Sequence, residues 1–254
     1  MEISMLCLVF FLTVASSSAS SALKVGYYQT SCPSAEAVVR KAVHKASLRN
    51  HRLAANLIRI FSMTALSGVV MLQSSLTQHH ATLQRKKVQP TAIRGFEVID
   101  EAKSKLESLC PQTVSCSDII AFAARDSISK TGGTHYSVPS GRRDGRVSLK
   151  DDPFLNLPFF FFDAKQLQEN FARKGLTLEE IVTLSGAHSI GVSHTHCSFF
   201  SNPLDNFSAT QPQDPSLDSK FAMDLKRKYQ PSNGGGNATV ALDVITSNRL
   251  DNKY

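Results

Sequence analysis

Apolar side chains repeating every three and four residues govern most of this chain, and that spacing selects helices rather than strands. After Ser34, the residues Ala35, Val38, Val39, Ala42, Val43 and Ala46 line one face, with charges on the other, which predicts a first amphipathic helix. A second begins near Leu53 with Leu57, Ile58 and Phe61, but through Ser62, Thr64, Ser67 and Gly68 its amphipathic character is lost, so an irregularity is expected there. Ser74 to Pro90 is polar and basic without an apolar period and reads as a long exposed loop or insert. Periodicity returns from Gly95 with Phe96, Val98, Ile99, Ala102, Leu106 and Leu109. Ser115 and Asp118 stand as a capping box for a fourth helix running to about Lys130, before Gly132-Gly133. Val138 to Pro158 reads as turns and loop. Asp163 caps a fifth helix ending at Gly175, and Thr177 with Glu180 caps a sixth ending around Ser185-Gly186. Beyond it the chain reads as loop to Asp218, then a short helix to Lys228 and a linker from Ser232 to Asn237. Strand signals are confined to scraps such as Thr239 to Val244. The expected fold class is all-α, with a large share of loop and no internal repeat.

With 254 residues and 42% apolar content, the chain can fill a substantial core. Residues 1–22 read as a signal peptide: the apolar run Met5 to Val14 passes into small residues ending near Ala22. This run is too short to span a bilayer. A basic leader segment is lacking, since Glu2 is the only charge there; removing Glu2 takes the formal net charge from +7 to +8. Secretion is therefore expected, with the extracellular space or wall, or else the vacuole, as destinations, and with residues 23–254 as one domain. A basic exported surface attracts polyanions, for which acidic wall polysaccharide is as good a candidate as nucleic acid, although a generally solvated basic surface has the same composition. No Arg/Lys tract with interleaved aromatics points to nucleic acid. The sequons Asn206-Phe-Ser and Asn237-Ala-Thr fit an exported glycoprotein. Outside the signal segment, Cys32, Cys110, Cys116 and Cys197 allow three pairings, and no C-x-x-C spacing suggests zinc.

Among eight histidines, His188 stands apart because it follows a well-capped apolar helix in a setting of small residues that permit close approach of a flat partner. His194 and His196 read as a polar loop, and His79-His80 falls in the least patterned region. Asp243, Thr246 and Asp251, with carbonyls between them, offer the mixed oxygen donors that calcium takes, although a solvated turn has the same composition. Arg59, on the apolar second helix, either pairs with a buried anion or extends to the surface.

Several segments, read together, resemble the signatures of the secretory plant haem peroxidases: Tyr27-Tyr-Gln-Thr-Ser-Cys-Pro33, Arg94-Gly-Phe-Glu-Val-Ile-Asp100, Val114-Ser-Cys-Ser-Asp-Ile-Ile120, Ala123-Ala-Arg-Asp126, Gly141-Arg-Arg-Asp144, Thr183-Leu-Ser-Gly-Ala-His-Ser-Ile-Gly191 and Asp251-Asn-Lys-Tyr254. Their order and spacing match from about Leu23 to the last residue. The resemblance implies haem b held between two helices, with His188 as the axial iron ligand and Arg59 as the distal arginine. It places Ser189, Asp243, Thr246 and Asp251 as ligands of one proximal calcium. Pro158 matches the proline at the donor entrance, where Phe159 and Phe160 replace the prolines that usually follow. Hydrogen peroxide and small phenolic donors are the implied substrates, for a monomer acting in oxidative-stress or cell-wall chemistry.

The chain departs from the family pattern in three places. Where the family reads Arg-x-His-Phe-His-Asp-Cys, this chain reads Arg59-Ile-Phe-Ser-Met-Thr-Ala65, so Met63 stands for the distal histidine and the distal calcium loop is absent. Tyr229 stands where a cysteine pairs with the one at Cys197, and the family extends for several helices past the position of Tyr254. Of the family's disulfides, the resemblance leaves Cys32 to Cys110, in an incomplete peroxidase fold. A thioether cannot move the proton that peroxide cleavage requires. Two further readings stand beside a working peroxidase. One is a non-catalytic secreted protein binding haem or wall polyanions. The other is the product of a mis-spliced transcript, suggested by the disturbed block from Phe61 to Pro90.

Overall fold

The computed structural model describes residues 23–67, 94–145, 155–159, 161–194, 198–229 and 239–253. The signal segment, the basic insert at 74–90, the linker at 232–237 with Asn237, Cys197 and His196 lie outside the described residues. Eight α-helices are described: α1 Ala35–Arg49, α2 Leu53–Ser67, α3 Phe96–Leu109, α4 Cys116–Lys130, α5 Ala164–Ala172, α6 Leu178–Ser185, α7 Ser198–Asp205 and α8 Ser219–Tyr229. A 3-10 turn, Gly186–Ser189, continues α6. Two short antiparallel pairs complete the description: β1 Lys24–Val25 with β2 Pro139–Ser140, and β3 Val192–His194 with β4 Thr239–Ala241.

Helix α4 is the axis of the larger core. Every residue from Cys116 to Ser127 is buried, so the helix has no solvent face over three turns, and α1, α2 and α3 pack around it. A helix enclosed on every side belongs in such a position, and its buried Asp118 and Arg125 are paired with Arg142 and Glu36. Phe122, Ile119 and Ile120 are its most enclosed large side chains, each worth about 1.5–3 kcal/mol of burial. Leu57 and Ile60 of α2, Val39 and Val43 of α1, and Ile99 and Leu106 of α3 meet them. The Cys32–Cys110 disulfide, with Cα atoms 5.8 Å apart, ties the approach to α1 to the end of α3.

A smaller cluster joins Leu66 of α2 to Phe171 of α5 and Ile181 of α6, with Leu157, Leu176 and Leu184 at its margin. Helix α2 therefore belongs to both clusters and positions α6 against the larger core. At the other end of α6, Gly191 lies close under α2. It adopts φ +119°, and a Cβ there would meet Ala55 Cβ at 3.7 Å and Leu242 Cδ1 at 3.4 Å.

Two expectations are corrected. The second helix is regular through Ser67, because the hydroxyls that dilute its apolar pattern bond back along it: Ser62 to the Ile58 carbonyl at 3.2 Å and Thr64 to the Ile60 carbonyl at 2.8 Å. The stretch after His188 is not continuous loop. β3 is set by its pairing with β4 some fifty residues on, and α7 is held by buried Leu204 and by packing on α8. Both rest on contacts distant in sequence, which a local pattern does not register.

Candidate functional site

Helix α6 presents His188. Thr177 Oγ1 accepts from the Glu180 backbone N–H at 3.2 Å, and the Glu180 carboxylate accepts from the Thr177 backbone N–H at 2.7 Å, completing a reciprocal cap. That backbone bond, with the Thr177 hydroxyl, holds the Glu180 carboxyl below its ordinary range. The helix ends in the 186–189 turn, where His188 is exposed and its Nδ1 lies 3.1 Å from the Ser185 carbonyl. In the tautomer with Nδ1–H donating to that carbonyl, Nε2 keeps its lone pair and is free to ligate a metal. A Cβ at Gly186 would meet nothing within 4 Å, so the backbone two residues before His188 is open to approach. On this observation His188 fits the axial ligand of a haem iron.

Arg59 lies on α2 between the buried Ile58 and Ile60 and is itself exposed, making no ion pair among the described residues. Of the two sequence readings, the surface extension holds. One turn further on, Ser62 and Thr64 spend their hydroxyls on helix carbonyls, while Met63 packs against the larger core. No titratable side chain occupies this turn of α2. Leu157 anchors the segment bearing Pro158 in the same small cluster as Leu66 and Ile181, so the elements carrying Arg59, Pro158 and His188 converge there. Next to half-buried Pro158, the Phe159 and Phe161 rings stack with centroids 5.2 Å apart, and Phe162 meets Phe159 edge-on at 5.4 Å. The replaced prolines were legible in the sequence; the exposed stack of Phe159 on Phe161 was not.

The acidic cluster assembles around one hydroxyl. Thr246 Oγ1 lies 2.9 Å from Asp243 Oδ2 and 3.0 Å from Asp251 Oδ1, so its single proton faces two carboxylates. Asp243 Oδ1 accepts from the backbone N–H groups of Ile245 at 2.7 Å and Thr246 at 3.1 Å. The Ile245 N–H bond is the main cause that holds the buried Asp243 carboxyl below the usual carboxylate range, against the opposing effect of desolvation. The β3–β4 pairing and the Leu242 N–H bond to the Gly191 carbonyl at 3.1 Å bring this cluster alongside the strand entrance that follows Ser189. Ser189 is buried and its hydroxyl has no partner among the described residues. Hard oxygen donors with two carboxylates and an orphaned hydroxyl fit calcium. Among the described residues no three His, Cys, Asp or Glu side chains group as a metal site, so such a set depends on Ser189 and Thr246 as well.

Asn206 is exposed, just past the end of α7, in keeping with an accessible sequon. Among the described residues no helix is long and apolar enough to cross a membrane.

The sequence model of the family described as Peroxidase matches residues 36–254. The chain is 43% identical to Peroxidase 5 of Vitis vinifera over 236 residues, which is 91% of this chain and 70% of that protein. It is 41% identical to Peroxidase 66 of Arabidopsis thaliana, covering 92% of this chain and 72% of the relative. Peroxidase 3 of the same plant is 39% identical over 96% of this chain and 74% of its own length. Helical fold, site-bearing α6 and these matches agree: the chain belongs to the plant peroxidase family of haem-dependent oxidoreductases. Proteins of this class generally take haem and calcium, act on hydrogen peroxide with small-molecule donors, and are secreted.

Proposed function

We propose that the chain, after loss of residues 1–22, acts outside the cell as a monomeric haem peroxidase on hydrogen peroxide and small phenols, in oxidative-stress or cell-wall chemistry. His188 is the axial ligand, and the observation that carries the reading is its exposed imidazole with Nδ1 directed to the Ser185 carbonyl. A haem bound there would supply the redox centre that peroxide oxidises and phenols reduce one electron at a time. Arg59 offers a fixed positive charge to the polarised peroxide, since a guanidinium stays protonated. Pro158 with the Phe159 and Phe161 stack offers a flat apolar surface to an aromatic donor. Ser189, Asp243, Thr246 and Asp251 hold one calcium, which braces the segment following His188. Asn206 and Asn237 carry glycans, and the basic surface favours acidic wall polysaccharide.

A second reading rests on Met63. Peroxide cleavage needs a proton taken from one oxygen and returned to the other, and the α2 turn around Met63 holds no group that does so. On this reading the protein binds haem but turns over slowly.

The test is a haem titration of the secreted protein followed by peroxide. A haem band abolished by His188→Ala sustains the ligand assignment, and a band indifferent to that substitution refutes it. Rapid peroxide-dependent oxidation of a phenol supports the working enzyme. If turnover is slow, Met63→His restores it by up to roughly 10²–10⁴-fold, the usual worth of a positioned acid–base group; no gain would mean that α2 does not face the peroxide.

A further inference from the structure

The stretch from Asp243 to Asp251 is held at both ends by contacts outside itself. At its start, the Leu242 N–H donates to the Gly191 carbonyl at 3.1 Å, three residues beyond His188. At its end, the Leu250 N–H donates to the carbonyl of Thr131, the residue that follows α4, at 2.8 Å. Two glycines make this second seat. A Cβ at Gly132 would lie 3.2 Å from Arg249 Cγ, and one at Gly133 would lie 2.7 Å from Leu250 Cδ2, so both side chains rest directly on the backbone of the turn. Resting on the reading of Ser189, Asp243, Thr246 and Asp251 as one calcium site, we infer that the turn Thr131-Gly132-Gly133 positions that oxygen set, and that calcium binding and capping of the central helix α4 are one coupled event.

A helix leaves its last carbonyls without partners of its own. At the end of α4 the turn meets three of them: the Ser127 carbonyl accepts from the Thr131 N–H at 3.0 Å, that of Ile128 from the Gly133 N–H at 2.9 Å, and that of Ser129 from the Gly132 N–H at 3.4 Å. The Thr131 carbonyl takes its donor from Leu250 instead. Beside it, Arg249 Nε would lie 3.4 Å from a Cβ on Gly132, which sets a positive charge near the C-terminal pole of the helix, where it is favoured. The same Nε is 3.6 Å from Asp251 Oδ2, and Asp251 Oδ1 meets the Thr246 hydroxyl at 3.0 Å. The Arg249 N–H also donates to the Thr246 carbonyl at 2.8 Å. Thr246 and Asp251 are therefore placed by Arg249 and Leu250, whose own positions depend on the turn. Gly132 adopts φ +95°, which a side chain would strain, so the seat is suited to glycine. Coupling of this kind is reciprocal: what the seat adds to cation affinity, the cation adds to the cap. Asp126, Ser129 and Lys130, toward the same end of α4, wall an open cleft that Arg40 and His135 complete, so tightening the cap also fixes that wall.

The experiment is calorimetric titration of the full secreted chain with calcium, without added haem, paired with amide hydrogen exchange in calcium and in chelator. Saturable binding that Asp251→Asn abolishes is expected of the wild type. Leu250→Ala removes the side chain seated on Gly133 and touches no oxygen of the set, yet it should weaken calcium about tenfold, within the usual range of coupling between sites. Gly133→Ala should weaken it at least as much, and Leu250→Ala decides if that variant fails to fold. In the wild type the amides of Gly132, Gly133 and Leu250 should exchange about tenfold more slowly with calcium than with chelator, and Leu250→Ala should lose this difference at Gly132 and Gly133. Wild-type calcium affinity in Leu250→Ala, or exchange at Gly132 and Gly133 indifferent to calcium, overturns the coupling and leaves the calcium site standing. Absence of calcium binding in the wild type, or binding untouched by Asp251→Asn, overturns the site itself and the coupling with it.

Discussion

Asp118 is fully buried, and its carboxylate gathers four donors: the Tyr28 hydroxyl and Gly141 N–H at 2.7 Å, the Arg142 N–H at 3.1 Å, and Arg142 Nη1 at 2.9 Å. One residue thus pins the segment at Tyr28 and the Gly141-Arg-Arg-Asp144 loop to the central helix. Burial, reinforced by the bond to Asp118, pushes the Tyr28 phenol far above its ordinary range. Above about pH 10 the unfolded chain therefore releases this proton while the folded chain keeps it. A group raised on folding contributes fully below its unfolded pKa and loses that contribution as pH rises toward the folded one, with a slope of up to about 1.4 kcal/mol per pH unit. Unfolding free energies measured between pH 8 and 11 should fall for the wild type, and fall less steeply for Tyr28→Phe; parallel curves would refute the assignment. The sequence showed Asp118 only as the N3 member of a cap. Its true partners lie 23 to 90 residues away, beyond the reach of a local pattern. His188 and the Asp243 cluster were legible because their motifs are contiguous, whereas the Ser185 carbonyl beneath His188 and the unpaired Ser189 hydroxyl needed the fold.

Helix starts divide by whether their caps are local. At α5 and α6 both halves of the reciprocal cap form within four residues, as Asp163 with Gln166 and Thr177 with Glu180, and both were legible. At α4 only half forms: Ser115 Oγ accepts from the Asp118 N–H at 3.2 Å, but the Asp118 carboxylate is engaged elsewhere. The helix instead borrows Asp144, which accepts from the N–H groups of Cys116 at 3.1 Å and Ser117 at 2.9 Å and from the Ser117 hydroxyl at 3.1 Å. A carboxylate at a helix N-terminus adds attraction to the dipole. Ser115→Ala should therefore cost about 1 kcal/mol, as a lost cap does. Asp144→Ala, stranding three donors, should cost about 2 kcal/mol or more. Urea unfolding of both variants tests the order, and the reverse ranking would return the main cap to Ser115.

Across the whole molecule, ordered signatures from Leu23 onward announced the family, yet the cleft lined by Arg40, Asp126 and His135 went unseen because α1, α4 and the loop at His135 each contribute a part. The same long-range organisation makes the Cys32–Cys110 bridge decisive for stability. It spans 78 residues and ties the segment before α1 to the end of α3, both packed on α4. Closing a loop of that length removes enough unfolded-chain entropy for about 4.5 kcal/mol of stabilisation. Domains of this kind hold only about 5–15 kcal/mol in total. A Cys32→Ser/Cys110→Ser variant should lose about 2–5 kcal/mol, seen as a lower urea midpoint and a thermal midpoint lowered by roughly 10 °C. Because the bridge braces α1 and α3 rather than α6, the folded variant should keep its haem band. A variant that unfolds with wild-type stability would show that packing around α4 alone holds these helices, and a band lost before unfolding would show that the two clusters are coupled through α2.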